Sequence, residues 1–302
     1  MTSAPKTKGV TKEDFIKLVK PIVAGAKVGI LTPTVTGYEP HYKLAYASTL
    51  AIGHELDCPV ECIDMVGQSC LPKGRNQLIY DALEAQAKGL SFDYLFLIDS
   101  DVGWRPYDFW FVVSKMIKNH KSTGKAADDW RILGGNYPKK DVKWSEAFEY
   151  VKQTVGDNLK AASGSLSLDS LLTGITPNAL RRAAQEFAAR MPDNIDIDDD
   201  GCCDLYGLPA GWVCIHHTVF RDLIPHLPSY MDNGMEIPEW FDDRHVGPEK
   251  GGLYLGEDIS FFQHVKQHLR IPTRCLLTAL LTHTGKHTWI GAPIDDFAPG
   301  RD

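Results

Sequence analysis

The chain has 302 residues, of which 43% are hydrophobic and 24% are charged, as in an ordinary soluble globular protein. Its formal charge of −7 provides no overall attraction to nucleic acid or to anionic membranes. No apolar run approaches the roughly 18 residues of a membrane span, and the N-terminus lacks a secretory signal, so we expect a cytoplasmic protein with no membrane partner. The seven cysteines show no zinc-finger spacing, which favours reduced thiols over a structural zinc site.

Buried strands alternate with amphipathic helices over the first 140 residues. Residues 1–9 are expected to be disordered, and the domain is expected to cover residues 10–302. The predicted helices are Lys12–Val23, 41–56, 74–89 and 105–120, and the predicted strands are 27–33, 59–66, 92–99 and 131–138. This alternation favours an α/β fold with a mostly parallel sheet flanked by helices.

The second half of the chain is less regular. Residues 141–207 change in character and are interpreted as a variable insertion in a single domain. Within them the pattern predicts a helix over Pro177–Met191, followed by an acidic loop. After them it predicts a strand at 208–216, a helix near 218–227, an irregular stretch to about 253, a helix from Glu257 to Leu269 and a strand at 273–283.

Two carboxylates follow a strand in the segment FDYLFLIDSDVGWRP. Asp99 and Asp101 lie two residues apart at the carboxyl end of the predicted strand, where open parallel sheets bind ligands. Two carboxylates held this close repel each other unless a cation lies between or beside them, and their hard oxygens suit Mg²⁺ or Mn²⁺. The alternative is a polar strand end at which Asp99 only caps the turn.

A second group of polar residues lies near the end of the chain. Glu257 and Asp258 fall in the first turn of a predicted helix, where they would either complement the helix dipole or contribute a catalytic carboxylate. Adjacent helical residues point about 100° apart, so we expect only one of the two to face a site. His283, at a predicted strand end, would complete a metal shell or pack as an ordinary histidine, and His287 lies four residues further on.

Five segments occur in an order that resembles a known family. They are ILTPTVTGY, GRNQLIYDAL, YLFLIDSDVGWRP, GGNYPKK, and GED followed by HTG. Together they resemble the glycosyltransferases of the GT-A fold, and most closely the compact soluble enzymes of phages and large viruses. The resemblance spans most of residues 27–290 and matches no motif in 141–207. It implies a GT-A-like, Rossmann-like fold and a nucleoside-diphosphate sugar as donor.

The resemblance also implies a role for individual residues. Asp99 and Asp101 would bind Mn²⁺ or Mg²⁺ together with the donor diphosphate, and His283 would be a third metal ligand. Asp258 would be the catalytic base of an inverting enzyme, with Glu257 beside it. The residues assigned to the donor, in addition to Asp99, are Thr32, Pro33, Arg75, Lys140 and His287.

The acceptor follows less directly from the sequence. Enzymes of this type often glycosylate hydroxymethylated pyrimidines in DNA, and a glycan is the alternative acceptor. The lysines at positions 115, 118 and 121 lie on one helical face and would either contact DNA phosphates or remain solvated. The charge of −7 argues against a DNA partner.

Two other functions stay open at this point. A phosphoester hydrolase or nucleotidyltransferase would use Asp99, Asp101, His283 and His287. A non-enzymatic sugar- or calcium-binding module would use the acidic loop 196–201, whose D-x-D-x-D-G pattern matches the first half of a calcium loop. The twelfth position of that loop is Gly207 rather than the bidentate Glu.

Overall fold

The computed structural model describes residues 11–120, 129–142, 144–161, 167, 170, 172–173, 175, 185–189, 195–245, 254–285 and 288–291. The start predicted to be disordered lies outside these residues. Within the described part of the chain, no helix has the length and apolar character needed to cross a membrane.

The helices and strands alternate along the first half of the chain, as the sequence predicts. The α-helices are α1 (Lys12–Val23), α2 (Pro40–Glu55), α3 (Leu71–Ala87), α4 (Pro106–His120), α5 (Trp144–Ala161), α6 (His217–Leu223) and α7 (Glu257–His264). The strands are β1 (Val28–Thr34), β2 (Val60–Val66), β3 (Tyr94–Ile98), β4 (Val102–Trp104), β5 (Ile132–Gly134), β6 (Pro138–Val142), β7 (Gln185–Phe187), β8 (Cys202–Leu205), β9 (Trp212–His216), β10 (Ser229–Asp232), β11 (Met235–Pro238), β12 (Arg244–His245), β13 (Tyr254–Leu255), β14 (Thr273–Leu276), β15 (Leu281–Thr284) and β16 (Thr288–Gly291).

The central sheet has seven strands in the order β2-β1-β3-β9-β5-β14-β8. Strands β2, β1, β3, β5 and β14 run in one direction, whereas β9 and β8 are antiparallel to their neighbours. The sheet is therefore mostly parallel, and helices cover both faces. This confirms the α/β prediction, with the addition that β9 enters the sheet in the reverse direction between β3 and β5.

Alternate residues of the central strands pack against different helices. On one face, Ile30 and Phe96 lie in a buried cluster with residues of α1, α2 and α4. On the other, Leu31 and Leu97 lie in a cluster with residues of α3, α6 and α7. A strand buried on both faces gives a continuous apolar run, which is the pattern that made β1 and β3 recognisable.

One predicted strand is divided in two. The apolar run 273–283 forms β14 in the central sheet and β15 in a separate sheet of order β16-β15-β4. The start of α4 holds the intervening turn, because Asp108 accepts a 3.0 Å bond from the backbone N–H of Leu280 and Arg105 donates one of 3.0 Å to the carbonyl of Thr278. In this second sheet His283 pairs with Val102, the residue that follows Asp101 in the chain.

Other predicted boundaries also need correction. The predicted helix Pro177–Met191 contains the strand β7, which pairs with β6, so this part of the prediction was wrong. The strand predicted at 208–216 begins only at Trp212, and the helix predicted to end at Leu269 changes after His264 into a π-helical turn. Within the range assigned to the insertion, β8 pairs with β14 at the end of the central sheet.

Candidate functional site

The two aspartates at the end of β3 lie at the carboxyl edge of the central sheet. The backbone N–H of Asp99 donates a 3.0 Å bond to the carbonyl of Gly211, which leads into β9. The carbonyl of Asp99 accepts a 3.0 Å bond from Val102, so the chain turns tightly between β3 and β4. This turn places Asp101 between the central sheet and the smaller sheet that carries His283.

A buried arginine connects the first aspartate to the start of α7. Arg75, on α3, is only 1% exposed, and its Nη2 lies 3.0 and 3.1 Å from the two carboxylate oxygens of Asp99. Its Nη1 lies 2.8 Å from Oε1 of Glu257 and 2.6 Å from Oδ1 of Asp258. Both acidic residues of α7 therefore contact the site, and the expectation that only one would do so was wrong. The guanidinium lies at the N-terminus of α7, within reach of both side chains.

The arginine is surrounded by more negative charge than it carries. One guanidinium faces three carboxylates, and it lies over the ring of Phe241 at 5.4 Å from the centroid. Burial alone would lower the pKa of Arg75. The three carboxylates outweigh burial and raise this pKa, so the guanidinium stays charged. The Nε of Arg75 is buried and has no hydrogen-bond partner among the described residues. The local surplus of negative charge favours a cationic ligand at this edge.

Asp258 has a raised proton affinity. Burial raises its pKa to about 6; Glu257 and Asp99 add to the increase, whereas Arg75 and the backbone N–H of Ala210 oppose it. A carboxylate with a pKa close to neutrality can both accept and release a proton under ordinary conditions. This is the property expected of a general base.

The second aspartate belongs to a neighbouring cluster. Oδ2 of Asp101 accepts a bond from Lys140 of β6, and its Oδ1 lies 3.7 Å from Nε2 of His283. The Nδ1 of His283 lies 2.8 Å from the carbonyl of Pro138, and because a carbonyl only accepts, Nδ1 carries the proton. Burial lowers the pKa of His283, which favours the neutral ring. Its Nε2 therefore presents a lone pair toward Asp101.

These residues fit a divalent cation that is shared with a phosphate. Mg²⁺ is usually held by one or two carboxylates plus phosphate oxygens rather than by a complete protein cage. Asp101 and His283 present such ligands, with Asp99 beside them, and the bond to the carbonyl of Pro138 orients the imidazole. Among the described residues, no group of three His, Cys, Asp or Glu side chains is arranged to hold a metal by itself. The donor set fits a metal site completed by a ligand.

Two residues that shape the site were not singled out from the sequence. A Cβ at Gly211 would lie 2.5 Å from the hydroxyl of Tyr137 and 2.6 Å from Oδ2 of Asp99, so only glycine fits there. Tyr137 is buried, and desolvation, reinforced by Asp99 and Asp258, raises its pKa well above the usual value. The available signal was a glycine immediately before an apolar strand, which often marks a close approach.

Two of the residues assigned to the donor are buried in β1. Thr32 is fully buried inside β1, which continues to Thr34, and its hydroxyl lies 2.6 Å from the hydroxyl of Tyr42. Pro33 is buried in the same strand. The structure therefore does not present the Thr32 side chain to the site. His287 lies outside the described residues.

The acidic loop has a structural role in the described part of the chain. The carboxylate of Asp198 accepts backbone N–H bonds from Asp200 at 3.0 Å and from Cys202 at 2.8 Å, as in an Asx turn. Asp200 in turn pairs with Lys115. These contacts occupy two of the carboxylates proposed for calcium and one of the lysines proposed for DNA.

Comparisons with known proteins identify no family. No family model matches the chain, and no curated protein matches it. The crystal structure of A197 from STIV is similar at a TM-score of 0.45 and 14% identity, over 89% of this chain and 91% of that chain. A similarity of this size carries no argument about fold family or function.

Proposed function

We propose that the protein is a metal-dependent glycosyltransferase that moves a sugar from a nucleoside-diphosphate sugar to a hydroxyl acceptor. The observation that carries this proposal is the bridge made by Arg75 between Asp99 and Asp258. This bridge holds Asp258, whose pKa is raised, near Asp99 and Asp101, which are suited to a metal and a diphosphate. The order of the sequence motifs, which resembles that of GT-A glycosyltransferases, supports the same conclusion.

The donor diphosphate would bind on the Asp101 side of the site. A bound Mn²⁺ or Mg²⁺ would act as a Lewis acid for the departing diphosphate. Lys140 contributes a positive charge there; it pairs with Asp101 and can exchange this carboxylate for a phosphate oxygen. Burial favours the neutral form of His283, and its bond to the carbonyl of Pro138 keeps the proton on Nδ1, so Nε2 stays available. The residue types match the charge that develops on a leaving phosphate.

The acceptor would bind on the Asp258 side. An inverting displacement needs a group that takes the proton of the attacking hydroxyl, and a base works best when its pKa lies near the working pH. Asp258 has a pKa raised to about 6, so it is mostly ionised at neutral pH and retains appreciable basicity. Arg75 and the N–H of Ala210 hold its carboxylate in place.

A glycan or another uncharged hydroxyl compound suits this surface better than DNA does. The net charge is −7, and Lys115, one of the lysines that would face a DNA backbone, is paired with Asp200. Binding of DNA depends on cations that are free to neutralise phosphates. A hydroxymethylated base in DNA therefore remains the second acceptor to test.

Ligand-dependent thermal stability tests the donor side of the proposal. The protein is heated with each common nucleoside diphosphate and its sugar conjugate, with and without Mn²⁺. We expect one nucleoside to raise the melting temperature only when Mn²⁺ is present, since a ligand that binds the native state stabilises it. The stabilising sugar conjugate is then incubated with the protein but without an acceptor, and the release of free sugar is followed by chromatography.

Two results would count against a glycosyltransferase. The first is that no nucleoside diphosphate stabilises the protein in the presence of Mn²⁺. The second is that the protein cleaves a simple phosphate diester and leaves nucleotide sugars intact. The grouping of Asp101, Lys140 and His283 would then serve a phosphoester hydrolase, since the same residues suit the charge on a leaving phosphate.

A further inference from the structure

Two cysteines face each other across neighbouring strands of the central sheet. In the antiparallel pairing of β8 with β14, Cys203 is directly opposite Cys275. Both side chains are buried, at 3% and 0% exposure, and both belong to the same apolar cluster. Cys202, the preceding residue, lies in the cluster on the opposite face of the sheet. The register therefore pairs Cys203 with one thiol and separates it from its neighbour in sequence.

The two thiols affect each other's pKa. Cys203 and Cys275 form a side-chain hydrogen bond, and the sulfur of Cys275 also interacts with the backbone N–H of Asn136. The bond from Cys275 lowers the pKa of the Cys203 thiol, whereas the pKa of Cys275 is raised by the same bond and by burial. Cys203 is therefore the thiol of the pair whose pKa is lowered.

The backbone geometry matches that of a disulfide. Directly opposed residues of an antiparallel pair have Cα atoms roughly 4.5 or 5.5 Å apart, depending on the type of pair. Disulfides span Cα separations of about 4.4–6.8 Å. The Cα separation expected for this opposed pair therefore lies within the range that disulfides span.

The position of the pair in the sheet provides a route for a small oxidant. Strand β8 is the last strand in the order of the described sheet, and it follows directly after the turn at Gly201. Terminal strands open locally at a lower free-energy cost than central strands.

We propose that Cys203 and Cys275 form a redox-sensitive thiol pair that a hydroperoxide converts into a disulfide. The Cys203 thiolate attacks the terminal peroxide oxygen, which breaks the O–O bond, forms a sulfenic acid and releases hydroxide or an alkoxide; this anion takes a proton from solvent to give water or an alcohol. The Cys275 sulfur then attacks the sulfenic sulfur, and the hydroxyl leaves as water after it takes a proton. Overall, two thiols and one hydroperoxide yield one disulfide, one water and one further water or alcohol.

Peptide mapping of the full-length protein tests the proposal. The reduced protein is treated with hydrogen peroxide, remaining thiols are alkylated after unfolding, and the protein is digested without reductant. We expect a cross-linked peptide pair containing Cys203 and Cys275, lighter by two hydrogen atoms than the two reduced peptides together. Treatment with dithiothreitol should abolish this species and restore two alkylatable thiols.

Three variants show whether the reaction is specific. Cys203→Ser and Cys275→Ser should each lack the cross-link, and the Cys275→Ser protein should accumulate a sulfenic acid at Cys203 that a dimedone probe labels. Cys202→Ser, a neighbouring change on the opposite face, should form the cross-link at the wild-type rate. Circular dichroism before oxidation shows that each variant is folded.

Other outcomes would overturn the proposal. Recovery of Cys203 and Cys275 as alkylated thiols from folded, peroxide-treated protein would show that the pair does not react. A disulfide between Cys202 and Cys203, or one that appears only after unfolding, would also exclude the cross-strand pair as the site of oxidation.

Discussion

Nη1 of Arg75 lies 2.6 Å from Oδ1 of Asp258, although 183 residues separate them in the chain. The same guanidinium contacts Asp99 through Nη2, so one side chain connects the end of a central strand to the first turn of α7. Because Arg75 is buried, each of these contacts is shielded from water and from salt. The arrangement makes both stability and the proposed chemistry depend on this arginine.

Replacement of the arginine should destabilise the fold. Arg75→Met leaves Asp99, Glu257 and Asp258 without their shared cation, and removal of one partner from a buried ion pair costs about 3–5 kcal/mol. Lys152→Met is the control, since its pair with Glu149 is highly exposed and contributes less than about 1 kcal/mol. Urea unfolding followed by circular dichroism measures both. A change at Arg75 no larger than the change at Lys152 would show that the bridge contributes little stability.

A single methyl group at position 211 should also destabilise the protein. The Cβ of Gly211→Ala would collide with Tyr137 and Asp99, and forced overpacking of this kind costs about 1–3 kcal/mol. Gly156→Ala is the matched control: it lies in α5 with no atom within 4 Å of the new Cβ, and it should raise the unfolding free energy by about 0.5–1 kcal/mol. Equal effects at the two positions would mean that Gly211 has room for a side chain.

The proposed base can be tested by an isosteric change. Asp258→Asn keeps the shape of the side chain but removes the proton acceptor, so turnover of the donor identified by thermal shift should fall by about 10²–10⁴-fold. Donor affinity should change little, because the diphosphate side of the site is formed by Asp101, Lys140 and His283. Glu257→Gln should be milder, since Glu257 is not the proposed proton acceptor. The reverse ranking would assign the base to Glu257, and near-normal turnover in both variants would favour a retaining mechanism.

The raised proton affinity of Asp258 predicts a specific dependence of stability on pH. Burial raises its pKa to about 6 in the folded protein, above the unfolded value of about 3.9. Between these values the folded state binds more protons, so this group's contribution to the unfolding free energy is present at about pH 4 and is lost as the pH rises through about 6.

Comparison with a variant isolates this contribution. Across that pH window, wild-type protein should lose about 1–3 kcal/mol of unfolding free energy relative to Asp258→Asn, which does not titrate at this position. Urea titrations at several pH values measure the difference, and the other titrating groups largely cancel in it. If the unfolding free energy of the wild type minus that of Asp258→Asn is constant or increases with pH, the pKa of Asp258 is not raised.

The two acidic clusters should respond differently to mutation. Asp101→Ala should abolish Mn²⁺-dependent binding of the nucleoside diphosphate, because Asp101 lies beside His283 and Lys140 at the edge of the sheet. Asp196→Ala, in the loop whose neighbouring carboxylate forms an Asx turn, should leave this binding unchanged. Isothermal titration calorimetry with and without Mn²⁺ measures both variants. Equal loss of binding would show that the wrong acidic cluster has been chosen.

Local signals were sufficient to predict the first half of the fold. The helix Lys12–Val23 has the predicted bounds because Thr11 caps it, with its hydroxyl accepting the N–H of Asp14 at 3.2 Å. The third helix ends before Gly89, whose φ of +95° suits glycine. Strands β1 and β3 are buried on both faces and produce the apolar runs that predicted them. In each case the residues that determine the element are adjacent in sequence.

Contacts between distant parts of the chain decided the rest. The run 273–283 is apolar throughout, and nothing local marks the turn that Asp108 holds through the N–H of Leu280. The sequence likewise placed both Asp99 and Asp101 at a strand end, but it contained no sign that they would bind different cations, Arg75 and Lys140.

The sequence by itself marked Asp99, Asp101, Glu257, Asp258 and His283 as candidate site residues from residue type and position, and the resemblance to GT-A glycosyltransferases added Lys140 and the choice of Asp258 as base. Only the tertiary structure decided how they are divided between two clusters, that Glu257 and Asp258 share one guanidinium, and that Thr32 is buried. The physical reason is that charge and burial act through space. The proton affinity of Asp258 depends on desolvation and on the nearby charges of Arg75, Glu257 and Asp99. These groups become neighbours only when the sheet brings α3, β3 and α7 together.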